Sequence, residues 1–456
     1  MPQRLPVLAI CLLAVALLEI AARASGIRVV QHAAWLGVIG VILSSWTRLT
    51  LREHYLIALS IILTIMTFWR SDTPRADLAG ALDSASFLMA FILLLGALNA
   101  AASTSPSMAV LGEYLTKQPP GRRYYVLNIG TGALGPLFNI GIVSLLVPLI
   151  QKGIARAGDD PLNPIRERRQ ISAMLRGFAW SVTWSPTAIA PLAVAAVMPG
   201  IDRTMWIVYG LMVMVPILIL GAAEDRLRWR AYRPSGQRPV MAFPRSAARN
   251  FAATCFSFFA LVGGIVWATG ESVVLGLLLS CPIMVVAWMW AQSGTGTGAR
   301  LRQTVLNDLP KSSNVAITLA CSGFIGRAAA GQVPAPALAE ALNLAAMPDW
   351  LLLSVLPPAL AIFSLLALSP TMMAVFFGSL FAALPQMPAD PTLIAYAISC
   401  GWALSMTFSP FATVVLVVDR ASGIPGTRLT FGWNLVFTLL CAVVLFPVFY
   451  LLTGGL

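Results

Sequence analysis

The chain has 456 residues, of which 58% are hydrophobic and only 11% charged. A soluble globular domain carries about 25% charged residues, so the composition excludes one and indicates a helical membrane protein. The net charge of +12 is spread over short segments; this excludes a nucleic-acid-binding domain and fits the accumulation of Lys and Arg on the cytoplasmic side of membrane helices.

The first apolar run, 5–22, reads as a retained first helix and not as a cleaved signal peptide. It lacks a small-residue cleavage site, and Glu19 interrupts its end. Further spans, each long enough for a hydrocarbon core of roughly 30 Å, fall at 29–46, 54–69, 81–103, 172–199, 205–221, 251–268, 272–291, 312–331, 391–418 and 430–453. Two more apolar stretches, 124–150 and 350–381, are interrupted by GPLFNIG and LALSPT. Each has room for two half-spans and reads as a re-entrant hairpin. The expected fold is therefore an all-α polytopic membrane protein of about eleven transmembrane helices plus two re-entrant hairpins in an inverted repeat.

Charge placement supports this layout. If the basic segment 222–250 is cytoplasmic, alternation puts most of the 30 basic residues inside, leaving Arg23, Arg28, Arg70, Arg75 and Arg203 outside and Arg327 within a span. The expected organisation is a first helix at 1–28, repeat 1 at 29–222 with its hairpin opening to the cytoplasm, a basic cytoplasmic linker at 223–250, and repeat 2 at 251–456 with an outward-opening hairpin. The N-terminus is then cytoplasmic, the C-terminus outside, and the location a bacterial-type inner membrane. Glu19 and Asp83 lie near span ends and read as surface residues.

Two spans contain nearly the same interruption, SVTWSPTAIAPL at 181–192 and SMTFSPFATVVL at 405–416. In register, Gly177, Ala179, Ser181, Thr183, Ser185, Pro186 and Ala188 match Gly401, Ala403, Ser405, Thr407, Ser409, Pro410 and Ala412. A proline inside a spanning helix removes a backbone hydrogen bond and clashes with the preceding turn, at about 3 kcal/mol or more. Irregular backbone at membrane depth survives only against protein or a water-filled cavity. A half-helix that starts after such a break presents free N–H groups and a positive dipole end, which suits an anion. Paired interrupted helices in an inverted repeat point to a transporter's midplane binding site.

The expected substrate-binding residues are thus Asn139 at the first hairpin tip, Thr183, Ser185, Pro186 and Thr187 at the first break, Ser369 and Thr371 at the second tip, and Thr407, Ser409, Pro410 and Thr413 at the second break. Phe138, Trp180, Trp184, Trp402, Phe408 and Phe411 crowd these places. Of them Phe138, Trp184 and Phe408, together with Arg327, are candidates to face a substrate. The alternative for the aromatics is packing or an interfacial belt, and for the hydroxyls a plain Ser-Pro kink.

No Walker motif is present, the only histidines are His32 and His54, and no catalytic set is evident. Neither an enzyme, nor a cofactor, nor a metal centre is expected. The six cysteines lie in apolar runs without a CxxC pair, which assigns them to packing.

This layout resembles the ion transporter superfamily: divalent anion/sodium symporters, arsenite and citrate carriers, aminobenzoyl-glutamate-type carriers and the large membrane subunit of TRAP transporters. ALGPLFNIGIVSLLVPLI at 133–150 and SLLALSPTMMAVFFGSL at 364–380 resemble its hairpins, and TWSPTAIAP and TFSPFAT its broken-helix loops. The resemblance implies substrate binding at these four places, sodium near Asn139, Ser185, Ser369 and Ser409 where sodium is used, a homodimer, and an elevator-like movement. The dicarboxylate carriers have Ser-Asn-Thr at each tip, whereas this chain has Phe138-Asn139-Ile140 and Ser369-Pro370-Thr371.

The leading expectation is a secondary active transporter of a small, carboxylate-type organic anion in the lipid bilayer, coupled to Na+ or H+. The alternatives are a membrane subunit of a TRAP-like multicomponent uptake system and an exporter of an aromatic or amphipathic compound.

Overall fold

The computed structural model describes residues 4–454 except 104, 157, 233–240, 345 and 367. The described residues form helices joined by short turns. The first ten are α1 (Arg4–Ser25), α2 (Arg28–Ser45), α3 (Leu51–Arg70), α4 (Pro74–Ser103), α5 (Pro106–Thr116), α6 (Pro120–Phe138), α7 (Gly141–Ala155), α8 (Asn163–Ser181), α9 (Ile189–Ala195) and α10 (Arg203–Arg228). The second ten are α11 (Arg245–Thr269), α12 (Val273–Ser293), α13 (Thr297–Gln303), α14 (Ser313–Gln332), α15 (Ala335–Ala341), α16 (Asp349–Phe363), α17 (Pro370–Ala382), α18 (Pro391–Phe408), α19 (Thr413–Ser422) and α20 (Leu435–Leu452).

Helix starts follow local chemistry. Thr50 and Glu53 make a reciprocal capping box at α3, and Asp202, Ser272 and Asp390 accept backbone N–H bonds at α10, α12 and α18. Ten helices or helix pairs among the described residues are long and apolar enough to cross a membrane. The expected spans 172–199 and 312–331 are not among them, whereas the hairpin arm Asp349–Leu366 is. The reason is composition. The helix α8 opens on Arg166, Arg168 and Arg169, and α14 mixes Ser, Asn, Thr and Arg327 into its apolar run.

The chain forms two compact units, each drawn from both halves of the sequence, so these units cut across the sequence repeats. The first comprises 1–105, 249–334 and 375–380. In it α4 is apolar on every side from Phe87 to Leu98 and packs against α14, α12 and α1, as expected of a helix segment without a polar face. Glu19 was expected at the surface; it is fully buried, accepting from Arg23 Nε at 2.7 Å and Gln31 Nε2 at 3.2 Å. Asp83 is also engaged, accepting from Trp35 Nε1 at 3.0 Å. A carboxylate near a helix end is drawn inward when neighbouring helices supply donors for it.

The second unit comprises 106–248, 335–374 and 381–456. Its centre is α18, which packs against α16, α8, α9, α10 and α20; every residue from Thr392 to Thr407 is accordingly buried. Both interrupted helices and both hairpin tips belong to this unit.

Candidate functional site

In each half of the chain, a helix–tip–helix pair precedes a broken helix. The first pair is α6 and α7 around Asn139–Ile140, followed by the break between α8 and α9. The second is α16 and α17 around 364–369, followed by the break between α18 and α19. The first arm of each pair packs against the helix that leads into the break, α6 on α8 and α16 on α18. The halves also meet crosswise, since α7 packs on α19.

The matched glycines explain how close these approaches are. A Cβ on Gly177 would lie 2.2 Å from the Asn128 carbonyl oxygen, and one on Gly401 would lie 2.8 Å from Leu360 Cβ and 3.1 Å from Pro357 Cα. Only glycine lets either helix backbone sit so near its hairpin arm.

The breaks share one hydrogen-bond design. The N–H of Ser185 donates to Ser181 O at 2.9 Å, and that of Ser409 to Ser405 O at 2.8 Å. Ala188 and Ala412 then take extended backbone (φ −67°, ψ 142° and φ −62°, ψ 134°) and start α9 and α19. Neither start has a side-chain cap, so both present uncapped N–H groups, as the sequence suggests. Each break is also fastened to its own hairpin. Thr187 Oγ1 donates to the Pro136 carbonyl, and Ser409 Oγ donates to the Ser364 carbonyl at 2.8 Å.

Asn139 caps α6 at φ 46°, ψ −136°, a backbone region that non-glycine residues rarely occupy. Strain of this kind amounts to about 1–3 kcal/mol and concentrates at functional positions. Its Nδ2 is buried without a hydrogen-bond partner. The same holds for the indole N–H groups of Trp180, Trp184 and Trp402. Trp184 lies between Gly132 of α6 and the backbone at Gly210 of α10. The region of the breaks is thus provided with buried donors that lack acceptors.

Other expected site residues have internal duties. Ser369 is the N-cap of α17: its Oγ accepts from Met372 N at 3.1 Å, with Pro370 as the first helical residue. Thr183 Oγ1 donates back to Trp180 O at 2.8 Å. Thr407 bonds Leu404 O at 3.1 Å and meets Thr438 Oγ1 of α20 at 2.8 Å, so it faces α20 and not a hairpin tip. Ser185 Oγ pairs with Thr187 Oγ1 at 3.2 Å. Thr371 is buried in the first turn of α17, and Thr413 begins α19 half-buried. Pro186 is half-buried, while the Pro410 carbonyl and ring pack against Gly426. Phe138 is buried and Phe408 pairs with Phe431 at 5.8 Å. Arg327 lies in the first unit, where its Nη1 donates to Ser379 Oγ at 3.4 Å, so it is not gathered with the other candidates in one unit.

A buried ionic chain escaped the sequence reading. Arg176, near the start of the expected span 172–199, is only 2% exposed. Its guanidinium donates to Glu224 Oε2 at 2.9 Å and Asn434 Oδ1 at 2.8 Å, and lies over the Phe437 ring at 4.2 Å. Arg228 also donates to Glu224, at 2.5 Å. Thr438 Oγ1 donates to Asn434 O at 3.0 Å, which extends the chain to Thr407 at the second break. Asn434 ends a π-helical segment, Arg428–Asn434, an irregularity frequent at functional places. The available signal was an arginine inside an expected span and the adjacent Glu224 and Asp225 at the end of α10.

No protein-family model and no curated relative matches the sequence. Solved structures do match. The YdaH transporter of Alcanivorax borkumensis is 12% identical with a TM-score of 0.55, over 89% of this chain and 98% of that one. MtrF of Neisseria gonorrhoeae, described with a class of antimetabolite efflux pumps, is 12% identical with a TM-score of 0.59, over 88% of this chain and 94% of that one. The chain has a transporter fold. At this identity the likeness carries the fold, and membership of the ion transporter superfamily stays a proposal.

Proposed function

We propose that this chain is a secondary active transporter of a small organic anion, of carboxylate type. It works by an elevator-like alternating-access movement in a bacterial inner membrane and is coupled to sodium or protons. The observation that carries this reading is the set of buried donors without acceptors, Asn139 Nδ2 at a tip and Trp184 Nε1 at a break, beside two breaks fastened to their hairpins. A buried unpaired donor costs about 1–3 kcal/mol, and an acceptor-rich ligand removes that cost. Two uncapped half-helices add positive potential without a formal charge. In this reading α6–α7 and α16–α17 are re-entrant, the repeats are inverted, and the N-terminus is cytoplasmic. Two copies form the working dimer. A co-transported sodium would use tip carbonyls such as those of Pro136 and Ser364, each with a second lone pair.

Export of an aromatic anion is the second reading, favoured by the unpartnered indole N–H groups and by the likeness to MtrF. Purified protein in liposomes, given radiolabelled aliphatic and aromatic carboxylates under imposed sodium or proton gradients, tests both. Gradient-dependent movement of an aliphatic acid supports the first reading, and movement of aromatic acids alone supports the second. Movement of neither overturns both. Asn139→Gly should lower transport about 10- to 100-fold, the value of a hydrogen bond to a charged group, while preserving or slightly raising stability, because glycine relieves the strained φ.

A further inference from the structure

The N-terminal turn of α6, the N-terminal half of α8 and the C-terminal end of α10 enclose a cleft that belongs to neither hairpin tip nor break. Its larger chamber has a volume of about 210 Å³, and a smaller one of about 40 Å³ adjoins it. An apolar cavity of about 150 Å³ holds a benzene ring, so the larger chamber accepts a compact ligand group.

The lining is strongly basic. Arg123, Arg166, Arg169 and Arg226 face the two chambers, against Asp225 alone among acidic lining residues. Asp225 is already saturated by Arg169, with Nε–Oδ1 at 3.0 Å and Nη2–Oδ2 at 2.6 Å. Arg166 is held by Asp160 at 2.6 Å. Arg226 makes no ion pair among the described residues; its guanidinium lies over the Tyr125 ring at 5.4 Å.

One further feature points to an anion. The helix α6 begins at Pro119-Pro120-Gly121 with no side-chain cap and no acidic residue in its first turn, and Pro120 and Gly121 line the chamber. A Cβ on Gly121 would meet nothing within 4 Å, so its backbone is open to a ligand. The Tyr124 side chain, 6% exposed, also lines both chambers, and its hydroxyl has no hydrogen-bond partner. That hydroxyl points inward, against Gly221 of α10, so the cleft meets the ring of Tyr124.

We propose that this cleft binds a phosphate ester, held by Arg226 and the start of α6, with Arg169 and Arg123 adding positive charge. A guanidinium fork matches phosphate oxygens in a way that a point charge does not. Basic pockets at the cytoplasmic ends of membrane helices suit anionic headgroups, and Trp229 and Tyr232, in edge contact at 5.6 Å, suit the level of a membrane interface. The phosphate has two sources, an anionic phospholipid or a soluble phosphate monoester.

Native mass spectrometry and thermal unfolding of the full chain, with phosphatidylglycerol, phosphatidylcholine, glycerol 3-phosphate and inorganic phosphate as probes, test the assignment. Arg226 is exposed, so Arg226→Gln should keep the unliganded melting temperature. It should weaken binding of the true ligand about fivefold, the effect of one Lys or Arg near an anionic lipid surface. Preferential binding of phosphatidylglycerol over phosphatidylcholine, lost in Arg226→Gln, supports the site with a lipid source. Binding of glycerol 3-phosphate or inorganic phosphate with the same sensitivity supports it with a soluble source. Binding of no probe, or binding indifferent to Arg226→Gln, overturns the proposal.

Discussion

The two broken helices have one backbone design in two different surroundings. Both chains turn at a Ser-Pro, both restart at an extended alanine, and both send a hydroxyl to a carbonyl of their own hairpin. The helix α18 reaches its break through wholly buried, uncharged residues. The helix α8 carries Arg176, at the position in register with Cys400, and ties it to Glu224 and Asn434. The restarted helices differ as well, α9 having 7 residues and α19 having 10. The break is thus a property of the local repeat, while its anchoring is a property of what packs around it. The hydrophobic neighbourhood of α18 needs no ionic anchor. The polar start of α8 does.

The largest test of this contrast is Arg176→Met. It leaves the buried Glu224 with the part-exposed Arg228 alone, and breaking a buried pair from one side costs up to about 3–5 kcal/mol. Chemical denaturation in detergent should show that loss, and the double variant Arg176→Met, Glu224→Met should recover most of it. Cys400→Ser, at the matching position, should lose much less. If the two single variants fall equally, the idea of unequal anchoring fails.

Next come the close approaches. Gly177→Ala places a Cβ 2.2 Å from a backbone oxygen, whereas Gly401→Ala meets Leu360 Cβ at 2.8 Å and the Pro357 backbone at 3.1 and 3.2 Å. Overpacking of this kind costs about 1–3 kcal/mol, with Gly177→Ala toward the upper end and Gly401→Ala toward the lower. Thermal melts of the two variants rank them.

The hairpin fastenings should behave alike. Thr187→Val and Ser409→Ala each remove one buried hydroxyl-to-carbonyl bond, worth about 1 kcal/mol net. Similar small losses in stability, with transport reduced in both, would uphold the symmetry. A change in one variant only would break it.

The smallest effect lies on α5, which is too short to be one of the membrane-length helices. The Lys117 hydrogen bond, and then its charge, hold the Glu113 carboxyl below the ordinary range. A depressed carboxylate contributes stability above its unfolded value, lost as pH falls through the folded one. Both side chains are nearly half exposed, at 48% and 46%, so solvent screens the pair. Lys117→Met should leave the melting temperature unchanged within error from pH 7 down to pH 4.

The backbone geometry around the breaks was legible in the residues, for a physical reason. Ser185-Pro186 and Ser409-Pro410 cannot continue a helix, and Gly177 and Gly401 mark close backbone approach whatever surrounds them. Asn139 was the one amide close to the first tip, and it carries the strained φ and the unpartnered Nδ2. The assignments that shifted concern hydroxyls. Ser369 became a helix cap and Thr407 turned to Thr438, because a hydroxyl takes the nearest partner and sequence spacing does not identify it. Arg327 falls in the first unit and Arg176 in a buried ionic chain of the second, because depth along a span says little about which unit receives a side chain.

The sequence by itself determined the helical membrane class, the position of both breaks and the pairing of each break with a hairpin. Each of these follows from local constraints, namely apolar length, missing N–H groups at proline and missing Cβ atoms at glycine. Only the tertiary structure decided which donors stay unpartnered, which carboxylates are buried, and that Arg176, Glu224 and Asn434 meet. Those outcomes depend on contacts between helices far apart in the chain, whose partners are set by packing and not by neighbours in sequence.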